Sequence, residues 1–168
     1  MAKIIMVDET RCLGCKTCEL ECALAHTEAG TLIEAMNSGC QLQSRVHVEP
    51  AGQFGMPLQC RHCEDAPCIK VCPTDAICRC SQEGPVLLDG DKCIGCKLCM
   101  LVCPFGVIDM TKDKKAMVKC DMCIKRTEAG QLPACVSACP TGAMKLVELD
   151  DYLRQQRRQV VQKLTSDS

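Results

Sequence analysis

Residues 93–104 read Cys-Ile-Gly-Cys-Lys-Leu-Cys-Met-Leu-Val-Cys-Pro. Three thiols fall close together, a fourth follows after three more residues, and proline closes the run. Residues 12–22, Cys-Leu-Gly-Cys-Lys-Thr-Cys-Glu-Leu-Glu-Cys, repeat the spacing C-x2-C-x2-C-x3-C, with Ala23 where the proline would stand. Two further groups vary it. Cys60, Cys63, Cys68 and Cys72 are spaced C-x2-C-x4-C-x3-C and lead into Pro73; Cys120, Cys123, Cys135 and Cys139 are spaced C-x2-C-x11-C-x3-C and lead into Pro140. These four groups take sixteen of the nineteen cysteines. Cys40, Cys78 and Cys80 fall outside any pattern and read as small hydrophobes.

The rest of the composition sharpens the point. In 168 residues there are two phenylalanines, one tyrosine and no tryptophan. A core without rings and this rich in thiols needs cohesion from a metal or a disulfide net. The formal charge of −1 leaves no basic footprint for nucleic acid. No apolar run is long enough to cross a bilayer. Residues 1–12 carry neither a long apolar segment nor a twin arginine, so no export signal is read and a cytoplasmic, reducing location is expected. Structural disulfides are disfavoured there, and nineteen is an odd number.

Three thiolates in one tight loop can grip three corners of a cuboidal iron–sulfur cluster, while the fourth, a helical turn on, faces away and serves a neighbouring cluster. Proline after that fourth thiol bends the chain out of the site. Gly14 and Gly95 inside the C-x-G-C turns admit a left-handed backbone and bring amide N–H groups towards sulfur. Zinc is the rival, because paired C-x2-C motifs also read as zinc sites; but structural zinc takes two thiols plus two, with no use for a third so close. Of the three histidines, His62 inside C-x2-C is the one expected to tune a cluster, and His26 and His47 read as ordinary side chains. Lys16, Lys97, Lys119 and Arg61 lie near the loops and would raise individual potentials. No residue is a candidate nucleophile or acid–base pair.

Short strands are expected at 3–7, 86–89 and 116–119 and after each Cys-Pro step, with hairpin turns at 81–85 and 111–115. Helices are expected at 19–26 and at 150–164, the latter capped by Asp150 or Asp151; 41–49 reads as an edge strand. The expected fold is α+β: two nested bacterial-ferredoxin-like modules with pseudo-twofold symmetry, built of short hairpins and short helices around the clusters. Residues 1–26 and 111–148 would form the outer module, 27–59 an insertion, 60–110 the inner module and 149–168 a C-terminal helix and tail. Exchange of fourth ligands within each module predicts four sets. These are Cys12, Cys15, Cys18 and Cys139; Cys120, Cys123, Cys135 and Cys22; Cys60, Cys63, Cys68 and Cys103; and Cys93, Cys96, Cys99 and Cys72.

The ordered groups, with Cys-Arg-His-Cys-Glu-Asp-Ala-Pro-Cys at 60–68 and Cys-Pro-Thr-Gly-Ala at 139–143, resemble the polyferredoxin subunits that carry four 4Fe–4S clusters, typified by the electron-transfer subunit of dimethyl sulfoxide reductase. Residues 11–26 most resemble the short cytoplasmic branch, which includes the iron–sulfur subunit of carbon monoxide dehydrogenase. The resemblance covers about residues 3–148. It implies a non-catalytic electron-transfer subunit with four 4Fe–4S clusters. One partner would be a catalytic oxidoreductase subunit: a molybdenum or tungsten enzyme such as formate dehydrogenase or aldehyde oxidoreductase, or carbon monoxide dehydrogenase. The other would be a second redox protein (a hydrogenase, flavoprotein or ferredoxin). A hetero-oligomer is implied, with the C-terminal helix as a candidate docking element. A zinc-stabilised interaction module and a free-standing ferredoxin stand beside this as alternatives.

Overall fold

The two ends of the sequence meet. In the computed structural model, which describes residues 3–52 and 54–166, β1 (Lys3–Val7) pairs antiparallel with β8 (Met144–Glu148), setting Ile5 opposite Leu146. The Asp8 N–H extends the ladder by donating to the Ala143 carbonyl at 2.8 Å. This pairing carries the first and last cysteine groups to one place. It also sets α1 (Thr17–Leu24) against α6 (Ala134–Ser137). Residues 1, 2, 53, 167 and 168, which fall in the expected outer module, insertion and tail, lie outside the described residues.

Between these ends the described residues form three hairpins. β2 (Val46–Ala51) pairs with β3 (Phe54–Gln59), β4 (Ile77–Arg79) with β5 (Val86–Leu88), and β6 (Asp109–Met110) with β7 (Met117–Val118), all antiparallel. The turns at 81–85 and 111–115 fall where expected. Thr111 organises the second: its hydroxyl bonds Asp113 at 2.6 Å and its N–H donates to Ala116 O at 2.8 Å. Short helices α3 (Pro67–Lys70) and α4 (Leu98–Val102) pack together as α1 and α6 do. α5 (Ile124–Glu128) follows the first two thiols of the last group.

Two buried cores result, and both mix cysteine with aliphatic side chains. One gathers Ile5, Cys18, Cys22, Val46, Val48, Met122, Cys135 and Met144. The other gathers Ala66, Cys68, Ile77, Val86, Cys99, Ile108 and Met117. Neither contains an aromatic ring: Phe54 and Phe105 are exposed and Tyr152 is only partly covered. Four of the eight strands among the described residues have only two or three residues, and such short pieces bury too little apolar surface to hold the body alone.

The segment 27–59 departs most from the sequence reading. It holds α2 (Leu32–Ser38), closed by a Thr31–Glu34 capping box and by Gly39 at φ +66. It also holds a full hairpin, β2–β3, rather than one edge strand. β3 lies directly on the first cysteine loop. A Cβ at Gly55 would sit 2.7 Å from Gly14 Cα, so only glycine lets the two backbones approach. Gly95 is held similarly in the third loop: φ is +66, and a Cβ would meet the Lys115 carbonyl at 2.9 Å.

At the C-terminus α7 (Leu149–Ser166) begins one residue before the expected caps. Asp150 and Asp151 therefore sit in its first turn, where they favour the helix dipole rather than cap the backbone. Cys78 and Cys80 are exposed, not packed as small hydrophobes, because the β4–β5 hairpin turns them outward; Cys40 is partly covered.

Candidate metal centres

Each cysteine loop bends in the same way. The residue two positions after the first thiol of each group has positive φ: Gly14 (+66), His62 (+49), Gly95 (+66) and Met122 (+61). Two glycines take this conformation freely; His62 and Met122 take it at a cost of roughly 1 kcal/mol each. The bend aims amides at sulfur. His62 N–H and Met122 N–H each donate to the Sγ of the cysteine two residues earlier, Cys60 and Cys120, at 3.5 Å. Arg45 N–H reaches Cys22 Sγ and Met117 N–H reaches Cys93 Sγ, both at 3.3 Å. In both Cys-Pro-Thr stretches the threonine hydroxyl meets the thiol, Cys72 with Thr74 at 3.8 Å and Cys139 with Thr141 at 3.7 Å.

No disulfide joins any of the nineteen cysteines, and their charges act on one another. Burial pushes Cys18 up to about 11, with Glu19, Cys12 and Cys139 adding to it. Cys15, exposed, is lowered by the Thr17 hydroxyl and amide against the opposing charge of Cys139. Cys139 thus stands beside the first group. Burial also raises Cys135, and Cys120, Cys22, Cys123 and Cys18 reinforce the shift. Cys120 is pushed up to about 12 by burial and by Cys22 and Cys60. Cys68 is raised by burial and by Cys60 and Cys103, while Cys99, at about 11, answers to burial and to Cys93 and Cys96. A small enclosed cavity lies between Cys60, Cys63, Cys68 and Cys103, with Pro104 and Phe105 in its wall. The charge of Cys139 thus acts on Cys15 and Cys18, that of Cys22 on Cys120 and Cys135, and that of Cys103 on Cys68. Cys72 and Cys93 pack against one common core, as do Cys63 and Cys103.

Crowded, buried thiols resist ionising one by one. A polycationic metal core removes that conflict, and soft thiolates without imidazole or carboxylate in the set suit iron–sulfur ligation. The donor sets fit such a group.

The histidine expectation reverses. Burial, with the Lys119 charge, holds His62 down at about 3, so its imidazole is neutral; Val86 N–H donates to its Nδ1 at 3.0 Å, and its buried Nε2 has no partner. His62 serves sulfur through its backbone. His26 takes the part expected of His62. It lies one helical turn after Cys22, with Nδ1 2.6 Å from the Cys22 carbonyl and 3.8 Å from the Cys22 thiol. Its Nε2 meets Asp121 at 3.0 Å. Although burial opposes it, Asp121 and the cysteines Cys123 and Cys22 lift His26 to about 12. Asp121 in turn takes Arg45 at 2.6 Å and the Cys123 N–H at 2.9 Å, and despite burial these partners hold its carboxyl below the usual range. Asp121 thereby ties Cys22 and Cys123 together. The C-x3-His step from Cys22 and the aspartate between Cys120 and Cys123 are both visible in the sequence. Asp121→Asn should weaken the fold by about 3 kcal/mol, because two largely buried cations lose their anion. The effect would be read as earlier bleaching of the visible absorbance on heating.

Residues 52–149 match the family profile described as a 4Fe–4S dicluster domain. The chain is 42% identical to an iron–sulfur protein of Rhodospirillum rubrum over 95% of its own length and 91% of that protein's. It is 41% identical to the putative electron transport protein YsaA of Escherichia coli K12, over 95% of its own length and 98% of that protein's. With the B subunit of the anaerobic dimethyl sulfoxide reductase of the same bacterium it shares 35% identity, over 86% of its own length and 73% of that subunit's.

Proposed function

The chain belongs to the 4Fe–4S dicluster family, and from that premise we propose that it is a linear relay of four 4Fe–4S clusters between two redox partners. It is an electron-transport iron–sulfur protein and not itself a catalyst; the family match favours iron–sulfur over zinc. When bound, the clusters supply reversible one-electron chemistry. The four ligand sets are Cys12, Cys15, Cys18, Cys139; Cys120, Cys123, Cys135, Cys22; Cys60, Cys63, Cys68, Cys103; and Cys93, Cys96, Cys99, Cys72.

One observation carries the order. Cys120 feels both Cys22 of its own set and Cys60 of the next, and Cys135 feels Cys18. These influences support an order in which the set containing Cys120 stands between those containing Cys60 and Cys18, with the Cys93 set, which shares a core with Cys68, at the far end. The exposed thiols Cys15 and Cys96 belong to the two terminal sets, each flanked by an exposed apolar residue, Leu13 and Ile94. The four thiols of the Cys120 set are all buried and exclude water, and the amide donors described above stabilise added negative charge on sulfur.

The nested arrangement, with an outer module of 1–26 and 111–148, an insertion of 27–59, an inner module of 60–110 and a tail of 149–168, is supported by the two cores, one drawing on both chain ends and one on the middle. The partners proposed are a catalytic oxidoreductase subunit and a second electron-transfer protein in a hetero-oligomer. α7 is a candidate docking element, since its Val160, Val161 and Leu164 are exposed. No helix among the described residues is long and apolar enough to cross a membrane. A cytoplasmic location, where thiols stay reduced and available to iron, goes with the reading. Reductive titration of the anaerobically purified chain should take up about four electrons, one for each cluster, and return them to an added acceptor. Uptake of about two would contradict the four-cluster relay.

A further inference from the structure

Lys119 is 3% exposed, the one buried lysine among the described residues. Its ammonium donates to the carbonyls of Val86 and Cys120, the latter at 3.0 Å, and lies 3.6 Å from Cys60 Sγ. It makes no ion pair with a carboxylate among the described residues. The nearest acid in sequence, Asp121, is already taken by His26 and Arg45. A buried cation whose only close anionic partner is a thiolate is costly unless negative charge sits beside it. Here the close sulfur is Cys60 of one cysteine set, and the ammonium also holds the backbone carbonyl of Cys120, a proposed ligand of another.

We propose that the Lys119 ammonium bridges these two sets electrostatically and raises the reduction potential of both, so that the pair at the junction holds electrons more readily than it would beside a neutral side chain. Lys119 is a positioning residue here, acting through the ligands and not touching a substrate. The inference rests on the ligand sets proposed above. It differs from the effect expected of Lys16 and Lys97, whose side chains sit on the surface and are screened by water.

The test is an anaerobic redox titration followed by EPR on the unaltered chain and on Lys119→Met, Lys119→Gln and Lys119→Arg, with junction signals assigned by Cys60→Ser and Cys120→Ser. At a fixed potential the reduced-to-oxidised ratio of the two junction clusters should fall roughly tenfold or more in Lys119→Met, as expected when one nearby charge is lost from a site of low dielectric. The terminal clusters should not move, and Lys119→Arg should restore the ratio. A fully loaded Lys119→Met that titrates like the unaltered chain would overturn the proposal. If Lys119→Met loses iron, Lys119→Gln, still able to donate to both carbonyls, carries the same readout. Loss of iron from both, with Lys119→Arg loaded, would assign Lys119 to holding the site together and overturn the proposal equally. Iron content of the unaltered chain is the separate check on the ligand sets and fails independently of Lys119.

Discussion

Cys139→Ala is expected to empty a site whose other thiols lie at the far end of the sequence. The variant should keep about twelve of sixteen iron atoms, and the signal lost should be that of the cluster held by Cys12, Cys15 and Cys18. The reason is spatial. β1 on β8 and α1 on α6 bring the two chain ends together, and the charge of Cys139 is felt by Cys15 and Cys18. Cys135, only one helical turn before Cys139, is instead surrounded by Cys120, Cys123 and Cys22. Iron analysis with EPR of the reduced protein checks it. A change confined to the cluster held by Cys120, Cys123 and Cys135 would mean that the fourth ligands are not exchanged.

Removing the iron is expected to unfold the chain from residue 3 to residue 148. Eight thiols of the proposed sets are buried: Cys12, Cys18, Cys22, Cys68, Cys99, Cys120, Cys123 and Cys135. Without metal these become crowded weak acids in apolar surroundings, several pushed well above the ordinary thiol range. The aliphatic remainder is modest and no ring reinforces it. Metal binding is then folding free energy, as in small metal-stabilised domains. After chelation under reducing conditions, amide hydrogen exchange across both cores should become fast and the far-UV circular dichroism should lose its helical signal. Persistent slow exchange at Ile5, Val46 and Met144 in the iron-free chain would contradict this.

Much of this architecture is legible in the sequence because the constraint is written in cysteine. The spacing around Cys93 and Cys12, the Cys-Pro steps and the hairpin turns at 81–85 and 111–115 each correspond to an element in the structure. What is less legible lies where the chain is shaped by something other than thiols. β3 contains Gly55 and Pro57, both poor strand residues, and carries no strand signal; Gly55 is needed because Gly14 presses on it, a contact no local pattern reveals. α2 has a signal in Thr31, Glu34 and Gly39, which form an ordinary cap at each end, but no thiol marks it out. His26 reads as a bystander because its partner Asp121 is distant in sequence, and only the α1–β2 packing brings Arg45 to the same carboxylate. Lys119 reads like any other loop lysine. Its burial depends on the meeting of two halves of the chain, which sequence spacing does not show.

The relay reading depends above all on how many clusters one chain holds. The family profile covers residues 52–149 and leaves the first cysteine group outside it, so a count distinguishes a two-cluster domain with an ornamental first loop from a four-cluster relay. Iron and acid-labile sulfide should be measured per chain on protein purified without oxygen. About sixteen of each is the result expected for four 4Fe–4S clusters; about eight of each would contradict the relay.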